Sequence, residues 1–301
     1  MILCSDKRKC PQLKDLVLVD AKTIKQFEGN NDVKALICSR DVAQVCQHMS
    51  LPNLKLIQLF SAGYDDIDPK LLQSKGVHLC NAANVYNVGM AEFVVHAMLM
   101  NAKKYNYSLK NHRIRPMRNY HYISELAGKT VGILGAGNIG QQIAKRLEAF
   151  EMRVWGYDIN PASRPYFEKI FTPEHLAEFL GSCDYIVNCM PLFKSTEGIL
   201  NKSWFDLMKN NVTFVNVGRK KLINDVDFIH FLKSHKDATA ILDMFEKIPN
   251  PFTNPYRRLS NVLVLPGVTA ISQEINLKLA NLIEENIKRL NTNDIFINQI
   301  V

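Results

Sequence analysis

An apolar segment that runs directly into a glycine-rich turn constrains the fold of this chain more than any other feature. The segment Thr130–Leu134 precedes Gly135, Gly137 and Gly140, and apolar side chains then recur at helical spacing through residues 139–150. A strand that turns through closely spaced glycines into a helix is typical of a parallel α/β unit. The helix N-terminus of such a unit offers N–H groups and a positive dipole end to an anion.

The spacing of the glycines predicts a dinucleotide rather than a simple anion. Gly135 permits the tight turn, Gly137 lets a pyrophosphate approach the backbone, and Gly140 lets the helix pack closely on the strand. The predicted cofactor loop therefore comprises Gly135, Gly137, Asn138, Ile139 and Gly140.

An acidic residue after the next predicted strand indicates which dinucleotide binds. Asp158 follows the segment Arg153–Tyr157 and lies 18 residues after Gly140. A carboxylate at this position accepts hydrogen bonds from the adenosine ribose and repels a 2′-phosphate, so the sequence predicts NAD in preference to NADP. Arg164 lies close behind Asp158 and keeps NADP as the alternative.

Short apolar runs alternate with helix-period segments on both sides of the glycine loop. We predict strands over residues 16–20, 33–38, 54–60 and 77–80 in the first part of the chain. From the loop onward we predict six strands, over residues 130–134, 153–157, 185–189, 213–217, 238–242 and 262–265. Such alternation indicates the α/β class, with two Rossmann-like, doubly wound parallel-sheet domains.

Length and composition exclude several classes of protein. The chain has 301 residues, 47% hydrophobic and 22% charged, which suits two soluble domains. Its seven cysteines form no CxxC pair and no cluster with metal-ligand spacing. We therefore expect a reducing compartment, the cytoplasm, and no metal. The weakly charged run 85–102 contains Glu92 and His96, so no membrane span is expected. The net charge is +8 but the basic residues are dispersed, so no nucleic-acid partner is expected.

Four further segments resemble motifs of one enzyme family. They are residues 61–68 (SAGYDDID), 190–196 (MPLFKST), 214–219 (FVNVGR) and 242–246 (LDMFE). With the glycine loop, they make the chain similar to the D-isomer-specific 2-hydroxyacid dehydrogenase family over nearly its whole length. The resemblance implies an NAD-dependent oxidoreductase that transfers a hydride between NAD(H) and a small 2-hydroxy or 2-oxo acid.

The resemblance also implies a domain arrangement. The family has two similar α/β domains, of which the substrate domain is discontinuous. Here residues 1–90 plus 272–301 would form the flavodoxin-like substrate domain, and residues 91–271 would form the NAD-binding Rossmann domain. Family members are usually dimers, so a homodimer is expected.

The family's site residues can be placed on this sequence by their motifs. The backbone N–H groups of Ala62 and Gly63 would hold the substrate carboxylate, and Arg219 would bind the carboxylate and carbonyl oxygens and be catalytic. Further cofactor contacts are expected at Met190, Pro191, Thr196, Val217, Gly218 and Asp243.

The chain departs from the family pattern where the acid/base pair normally stands. Ile248 occupies the position of the family's glutamate, and Gly267 occupies the position of its histidine. Lys220 replaces the glycine that usually follows the arginine. That lysine would crowd the site, hold a second anionic group of the substrate, or act as a replacement proton donor.

Two functional hypotheses follow from this combination of retained and lost motifs. The first is an oxidoreductase with an atypical or missing acid/base pair. The second is a catalytically impaired NAD-binding homologue that acts as a sensor or scaffold. Retention of the glycine loop, Asp158 and Arg219 is compatible with both hypotheses.

Overall fold

The computed structural model describes residues 1–105, 123–243, 254–265, 267–292 and 294–301. The chain divides into two compact units, one formed by Met1–Tyr86 with Ile271–Val301 and the other by Asn87–Ala270. Each unit contains a parallel sheet with helices between its strands. The predicted fold class, α/β with two parallel-sheet domains, is therefore confirmed.

The first unit has, in its described residues, a five-stranded sheet in the order β2-β1-β3-β4-β5. Its strands are β1 (Ile2–Cys4), β2 (Leu16–Leu18), β3 (Ala35–Cys38), β4 (Leu56–Leu59) and β5 (His78–Cys80), and its helices are α1 (Arg40–Cys46), α2 (Pro69–Ser74) and α8 (Gln273–Thr292). Every neighbouring pair of strands is parallel. Strands β3 and β4 are buried along their whole length, as expected for the centre of a parallel sheet.

The second unit has a seven-stranded parallel sheet in the order β12-β11-β10-β9-β6-β7-β8, counted over the described residues. Its strands are β6 (Thr130–Leu134), β7 (Arg153–Tyr157), β8 (Lys169–Phe171), β9 (Tyr185–Asn188), β10 (Thr213–Asn216), β11 (Thr239–Leu242) and β12 (Val262–Val264). Its helices are α3 (Asn87–Ala102), α4 (Asn138–Glu148), α5 (Leu176–Ser182), α6 (Lys202–Phe205) and α7 (Asp225–Ser234). The strand order reverses direction at β6, which lies between β7 and β9.

Two strands were missed by the sequence pattern, so the predicted counts of four and six strands are too low. Strand β1 has three residues and is followed at once by the charged stretch 6–9, too short for a period to be read. Strand β8 lies at the sheet edge and begins with an exposed lysine. Short strands of this kind take their conformation from the neighbour with which they pair rather than from their own sequence.

Helix α4 shows why the segment after the glycines folds against the sheet. It buries Gly140, Ile143, Ala144 and Leu147 along one face and leaves its charged residues outside. None of the described helices has both the length and the apolar composition needed to span a bilayer.

The parallel arrangement brings several chain segments to one edge of the second sheet. The carboxyl ends of β6, β7, β9, β10, β11 and β12 all face the same way, because every pair in the sheet is parallel. The residues that follow these strands include the glycine loop and most of the predicted site residues. In sheets of this kind ligands bind beyond the carboxyl ends, near the point where the strand order reverses.

Candidate functional site

Two glycines of the loop are required by close backbone approaches. Gly135 has φ +92, and a Cβ built on it would lie 3.2 Å from the carbonyl oxygen of Cys189 and 3.2 Å from the nitrogen of Met190. A Cβ on Gly140 would lie 2.3 Å from the carbonyl oxygen of Gly135. The turn and the packing of α4 on β6 therefore exclude side chains at both positions.

Gly137 has a different environment, which suits a bound phosphate. It is the N-cap of α4, and a Cβ built on it would meet no atom of the described residues within 4 Å. The first backbone bond of the helix runs from the N–H of Gln141 to the carbonyl of Gly137, and no side chain caps the helix. The N–H groups of Asn138 and Ile139 are thus in the first turn beside open space, as the pyrophosphate of a dinucleotide requires.

Asp158 lies at the end of β7 and contacts the glycine loop directly. Its carboxylate accepts the N–H of Ala136 at 3.0 Å and the N–H of Asn160 at 3.0 Å. Arg164 lies 3.7 Å away from the same carboxylate, with its side chain 21% exposed. The Nε of Arg164 is buried and has no hydrogen-bond partner in the described part of the chain. The carboxylate that favours NAD and the guanidinium that favours NADP therefore lie side by side.

Two buried asparagines hold the segments that follow β9 and β10, and sequence reasoning missed both. Asn188 donates to Asn216 through their side-chain amides at 2.8 Å. The N–H of Gly218 donates to Asn216 at 3.2 Å, and that of Met190 donates to Asn188 at 3.2 Å. A Cβ on Gly218 would lie 3.0 Å from the Asn188 amide nitrogen. The available signal was an asparagine at the end of each apolar strand.

The remaining residues near these segments are placed by backbone contacts. The N–H of Val217 donates to the Asn188 carbonyl at 3.0 Å, and Val217 is buried. The Thr196 hydroxyl accepts the N–H of Phe193 at 2.8 Å and donates to the carbonyl of Pro191 at 3.1 Å. The Thr196 hydroxyl is therefore bonded within the turn formed by residues 191–196.

Arg219 and Lys220 occupy the turn after β10. Arg219 is half-buried and precedes a 3-10 helix, Lys220–Leu222. Lys220 forms an ion pair with Asp225, whose second carboxylate oxygen accepts the hydroxyl of Tyr256 at 2.7 Å. Burial and the neighbouring carboxylate raise the pKa of Tyr256. Lys220 could donate a proton or bind an anionic group of the substrate only by giving up this ion pair with Asp225.

Asp243 is fully buried at the end of β11 and binds the segment after β12. Its carboxylate accepts the N–H groups of Gly267, Val268 and Thr269 at 3.0, 3.1 and 2.7 Å, and also the Thr269 hydroxyl. Gly267 has φ +80, and among the described residues the nearest atom to a Cβ built on it is the carbonyl oxygen of Asp243, at 4.0 Å. Ile248 lies outside the described residues.

In the first unit, the carbonyl groups of the loop after β4 are fixed by side chains. Asn81 donates to the carbonyl of Ala62 at 2.7 Å, and the Ser61 hydroxyl donates to the carbonyl of Gly63 at 2.7 Å. Because a trans peptide places its N–H opposite its C=O, the Gly63 N–H points away from Asn81. The N–H groups of Ala62 and Gly63 donate no hydrogen bond within the described residues. They are therefore available to an anion.

An open cavity of about 440 Å³ adjoins this loop within the first unit. Arg40 lines it and donates to Asp65 at 2.6 Å. The other lining residues are Ser39, Asp41, Gln44, Phe60, Ser61, Asp66 and Tyr86. Over the residues that the structure describes, no group of three His, Cys, Asp or Glu side chains is arranged to hold a metal ion.

A family model matches more than half of the chain. Residues 93–268 match the model for the NAD binding domain of D-isomer specific 2-hydroxyacid dehydrogenases. This match predicts a nicotinamide cofactor in the second unit, where the glycine loop lies.

Similar proteins carry names from the same group of enzymes. A D-3-phosphoglycerate dehydrogenase of Archaeoglobus fulgidus is 31% identical over 242 residues, which is 78% of this chain and 45% of that protein. A glyoxylate reductase of Korarchaeum cryptofilum is 29% identical over 245 residues, 78% of this chain and 73% of that protein. The chain therefore spans less than half the length of the phosphoglycerate dehydrogenase that it matches.

A solved structure shows the same fold. An acyclic imino acid reductase in complex with NADPH and D-Arg superimposes with a TM-score of 0.84 over 100% of both chains, at 21% identity. At this identity the likeness concerns the fold alone.

Proposed function

Because the chain belongs to the D-isomer specific 2-hydroxyacid dehydrogenase family, we propose that it is an oxidoreductase that transfers a hydride between NAD(H) and a small 2-hydroxy or 2-oxo acid. The observation that carries the proposal is the first turn of α4, uncapped at Gly137 and next to the carboxylate of Asp158. That arrangement suits a pyrophosphate followed by an adenosine ribose.

The cofactor would be held by the carboxyl edge of the second sheet. A bound nicotinamide supplies or accepts the hydride. The first turn of α4 would bind the pyrophosphate, and Asp158 would bind the ribose hydroxyls. The remaining proposed contacts come from the segments after β9, β10 and β11, at Met190, Pro191, Thr196, Val217, Gly218 and Asp243.

We propose NAD as the cofactor, with NADP as the alternative. The Asp158 carboxylate favours a ribose with a free 2′-hydroxyl, whereas Arg164 beside it would neutralise part of that charge. Titration with NADH and NADPH, followed by nicotinamide fluorescence, measures the preference. Arg164→Ala should leave NADH binding nearly unchanged and weaken any NADPH binding. Asp158→Asn should reduce the difference between the affinities for NADH and NADPH. Tighter binding of NADPH by the unaltered protein would reject the choice of NAD.

The substrate carboxylate is proposed to bind to main-chain and arginine donors. In the first unit, the bond from Asn81 to the Ala62 carbonyl fixes the peptide that carries the Gly63 N–H, and the bond from the N–H of Ala82 to the Ser61 carbonyl fixes the peptide that carries the Ala62 N–H. Neither N–H is used elsewhere in the described chain. In the second unit, Arg219 follows the sheet at its carboxyl edge and can present a planar guanidinium to carboxylate and carbonyl oxygens.

The proposed acid/base pair is atypical. Ile248 and Gly267 carry no ionisable group at the positions where the family has a glutamate and a histidine. Loss of a general acid or base costs about 10²–10⁴-fold in rate. We therefore expect slow reduction of simple 2-oxo acids relative to an enzyme that has the pair.

One experiment separates the oxidoreductase from a sensor or scaffold. The purified protein would be titrated with NADH and then offered a panel of 2-oxo acids while absorbance is followed. Turnover that disappears in Arg219→Ala, with NADH binding retained, supports the enzyme. Tight NADH binding without turnover on any acid supports the binding homologue, and absence of NADH binding would reject both.

We further propose a cytoplasmic homodimer. All seven cysteines are free thiols, which suits a reducing compartment. In the second unit, an open groove of about 630 Å³ between α3 and α4 is lined by Val88, Val95 and Phe150 among charged residues. A groove that combines apolar side chains with a charged rim is suited to burial by a second copy. Sedimentation equilibrium of the purified protein tests the dimer.

A further inference from the structure

The loop after β4 is held in place by the residues that follow β5. The side chain of Asn81 donates to the carbonyl of Ala62 at 2.7 Å, and the N–H of Ala82 donates to the carbonyl of Ser61 at 3.0 Å. Because a trans peptide places its N–H opposite its C=O, these bonds set the directions of the Gly63 and Ala62 N–H groups. The direction of both N–H groups therefore depends on where Asn81 and Ala82 are held.

Residues 297–301, which we call the edge segment, hold Asn81 from its other side. Strand β5 lies at the edge of the sheet, and Gln299 forms an antiparallel bridge with it. The N–H of Asn81 donates to the carbonyl of Asn298 at 3.2 Å, and the side chain of Asn298 donates to the carbonyl of Ala83 at 2.8 Å. The side-chain oxygen of Asn81 accepts the N–H of Ala83 at 3.0 Å. Both ends of the Asn81 amide are thus engaged, which fixes its orientation.

The edge segment has a buried anchor of its own. Asn286 of α8 is fully buried, and its side chain accepts the N–H of Ile297 at 2.8 Å and donates to the carbonyl of the same residue at 3.0 Å. It also donates to the side chain of Gln58 in β4, which is equally buried, at 2.6 Å. A displacement would leave buried polar groups unpaired, which is costly. The edge segment is therefore fixed relative to β4, the strand that leads into the loop.

These contacts form a continuous path from a buried core residue to the loop. We propose that the edge segment is a positioning element of the substrate site: Asn298 holds Asn81 in place, and Asn81 directs the N–H groups of the loop. This inference rests on the proposed function, in which those N–H groups bind the substrate carboxylate. A hydrogen bond weakens as its angle departs from linearity, so a misdirected N–H group would bind the carboxylate less tightly. Neither asparagine touches the substrate in this arrangement.

The test measures carboxylate affinity separately from the amount of folded protein. The full chain, saturated with NADH or NADPH, would be titrated by calorimetry with oxamate, an unreactive analogue of a 2-oxo acid. Asn81→Ala should raise the Kd for oxamate about tenfold, as expected when hydrogen bonds to a charged group are weakened. Both the Kd for the cofactor and the number of oxamate sites per chain should stay unchanged. A purely structural defect would instead lower the number of sites and leave the Kd for oxamate as it was.

A second variant tests the edge segment itself. Asn298 has φ +55, a conformation that glycine adopts freely, so Asn298→Gly removes the amide and keeps the backbone. It should raise the Kd for oxamate about threefold, because it removes one neutral hydrogen bond behind Asn81. If Asn81→Ala fails to fold, Asn298→Gly decides the question alone.

Asn53→Gly is the matched control for Asn298→Gly. The side chain of Asn53 also donates to a main-chain carbonyl, that of Asn31, at 2.8 Å. It precedes β4 and so lies at the opposite edge of the same sheet from the loop. This variant should lose a similar amount of stability and bind oxamate as tightly as the unaltered protein.

Each other outcome overturns a different statement. An unchanged Kd for oxamate in Asn298→Gly, or an equal rise in Asn53→Gly, would overturn the role of the edge segment and leave the proposed function standing. If the unaltered protein bound its cofactor but no oxamate, the assignment of the loop to a carboxylate would be rejected, and this inference with it. Failure to bind either cofactor would reject the proposed function itself.

Discussion

Gly137 and Gly140 stand three residues apart, yet an added methyl group would have opposite effects at the two positions. A methyl on Gly137 would enter open space, whereas one on Gly140 would collide with the Gly135 carbonyl. Gly137→Ala should therefore keep the melting temperature and weaken NADH binding by tenfold or more, about 1.4 kcal/mol. Fluorescence titration and a thermal melt measure the two effects.

Gly140→Ala is the matched control for that prediction. Overpacking against backbone costs about 1–3 kcal/mol, so this variant should lose stability before it shows any specific binding defect. If Gly137→Ala bound NADH as well as the unaltered protein, the first turn of α4 would not be the phosphate site.

Asp243 provides a second test at the level of a single residue. Asp243→Asn would turn an amide NH₂ towards N–H groups that now donate to a carboxylate, and the donors of residues 267–269 would lose acceptors. We expect a loss of about 2 kcal/mol or more in the free energy of unfolding, measured with denaturant. Asp227→Asn is the control, because Asp227 accepts one exposed N–H and should cost less than about 1 kcal/mol. Equal losses of stability in the two variants would contradict the role of Asp243 as the acceptor that holds residues 267–269.

The residues whose roles could be predicted from the sequence make contacts with near neighbours in the chain, and those whose roles could not be predicted make contacts with distant ones. The glycines were predictable because their task is local, within one strand, turn and helix. The surroundings of Asp243 and Gly267 were not, because the contact joins residues 24 positions apart through a sheet pairing. The same holds for Asn188 and Asn216, whose mutual bond requires β9 and β10 to be neighbours in register.

Among the elements of the second sheet, β6 and β9 are joined by more than their backbone ladder. Asp184, just before β9, accepts the N–H of Thr130 at 2.9 Å and forms an ion pair with Lys209 at 2.8 Å. Burial raises the pKa of Asp184, but the ion pair and the hydrogen bond outweigh burial and leave the pKa below its ordinary value of 3.8. The folded state therefore binds a proton less readily than the unfolded state.

This pKa shift predicts a pH-dependent stability. The contribution of Asp184 should be complete above pH 3.8 and should be lost as the pH falls through the lowered pKa. Asp184→Asn should cost about 1 kcal/mol at pH 7 and nothing at acid pH, as measured by denaturant unfolding at several pH values. Asp206→Asn, which breaks an exposed pair with Lys202, should have little effect at any pH. If Asp184→Asn were still less stable than the unaltered protein at acid pH, the lost stability would come from packing and not from the charge of Asp184.

The elements predicted well are those whose own pattern is decisive. Strands β6 and β7 were predicted with the bounds that the structure has, because each is a complete apolar or alternating run between clear turns. Strands β1 and β8 have three residues each, and pairing with a neighbour supplies the ordering that such a short sequence lacks.

For the whole molecule, the division into two units makes a prediction about where a bound cofactor stabilises the chain. The glycine loop, Asp158 and the segments after β9 and β10 all lie in Asn87–Ala270. NADH at 100 times its Kd should stabilise the folded state by about 2.7 kcal/mol. Amide hydrogen exchange should slow first at residues 135–140 and around Asp158. Slowing confined to residues 1–86 would contradict a cofactor site in the second unit.

The first unit is made from two stretches of chain separated by the whole of the second unit. Strand β4 packs against α8, whose residues are synthesised more than 200 positions later. A ribosome therefore completes the inserted unit while residues 1–86 still lack the helix that covers part of their sheet. Because domains fold as units during synthesis, the inserted unit should be the first to reach its native state. The first stretch would then be the part of the nascent chain that most needs a chaperone.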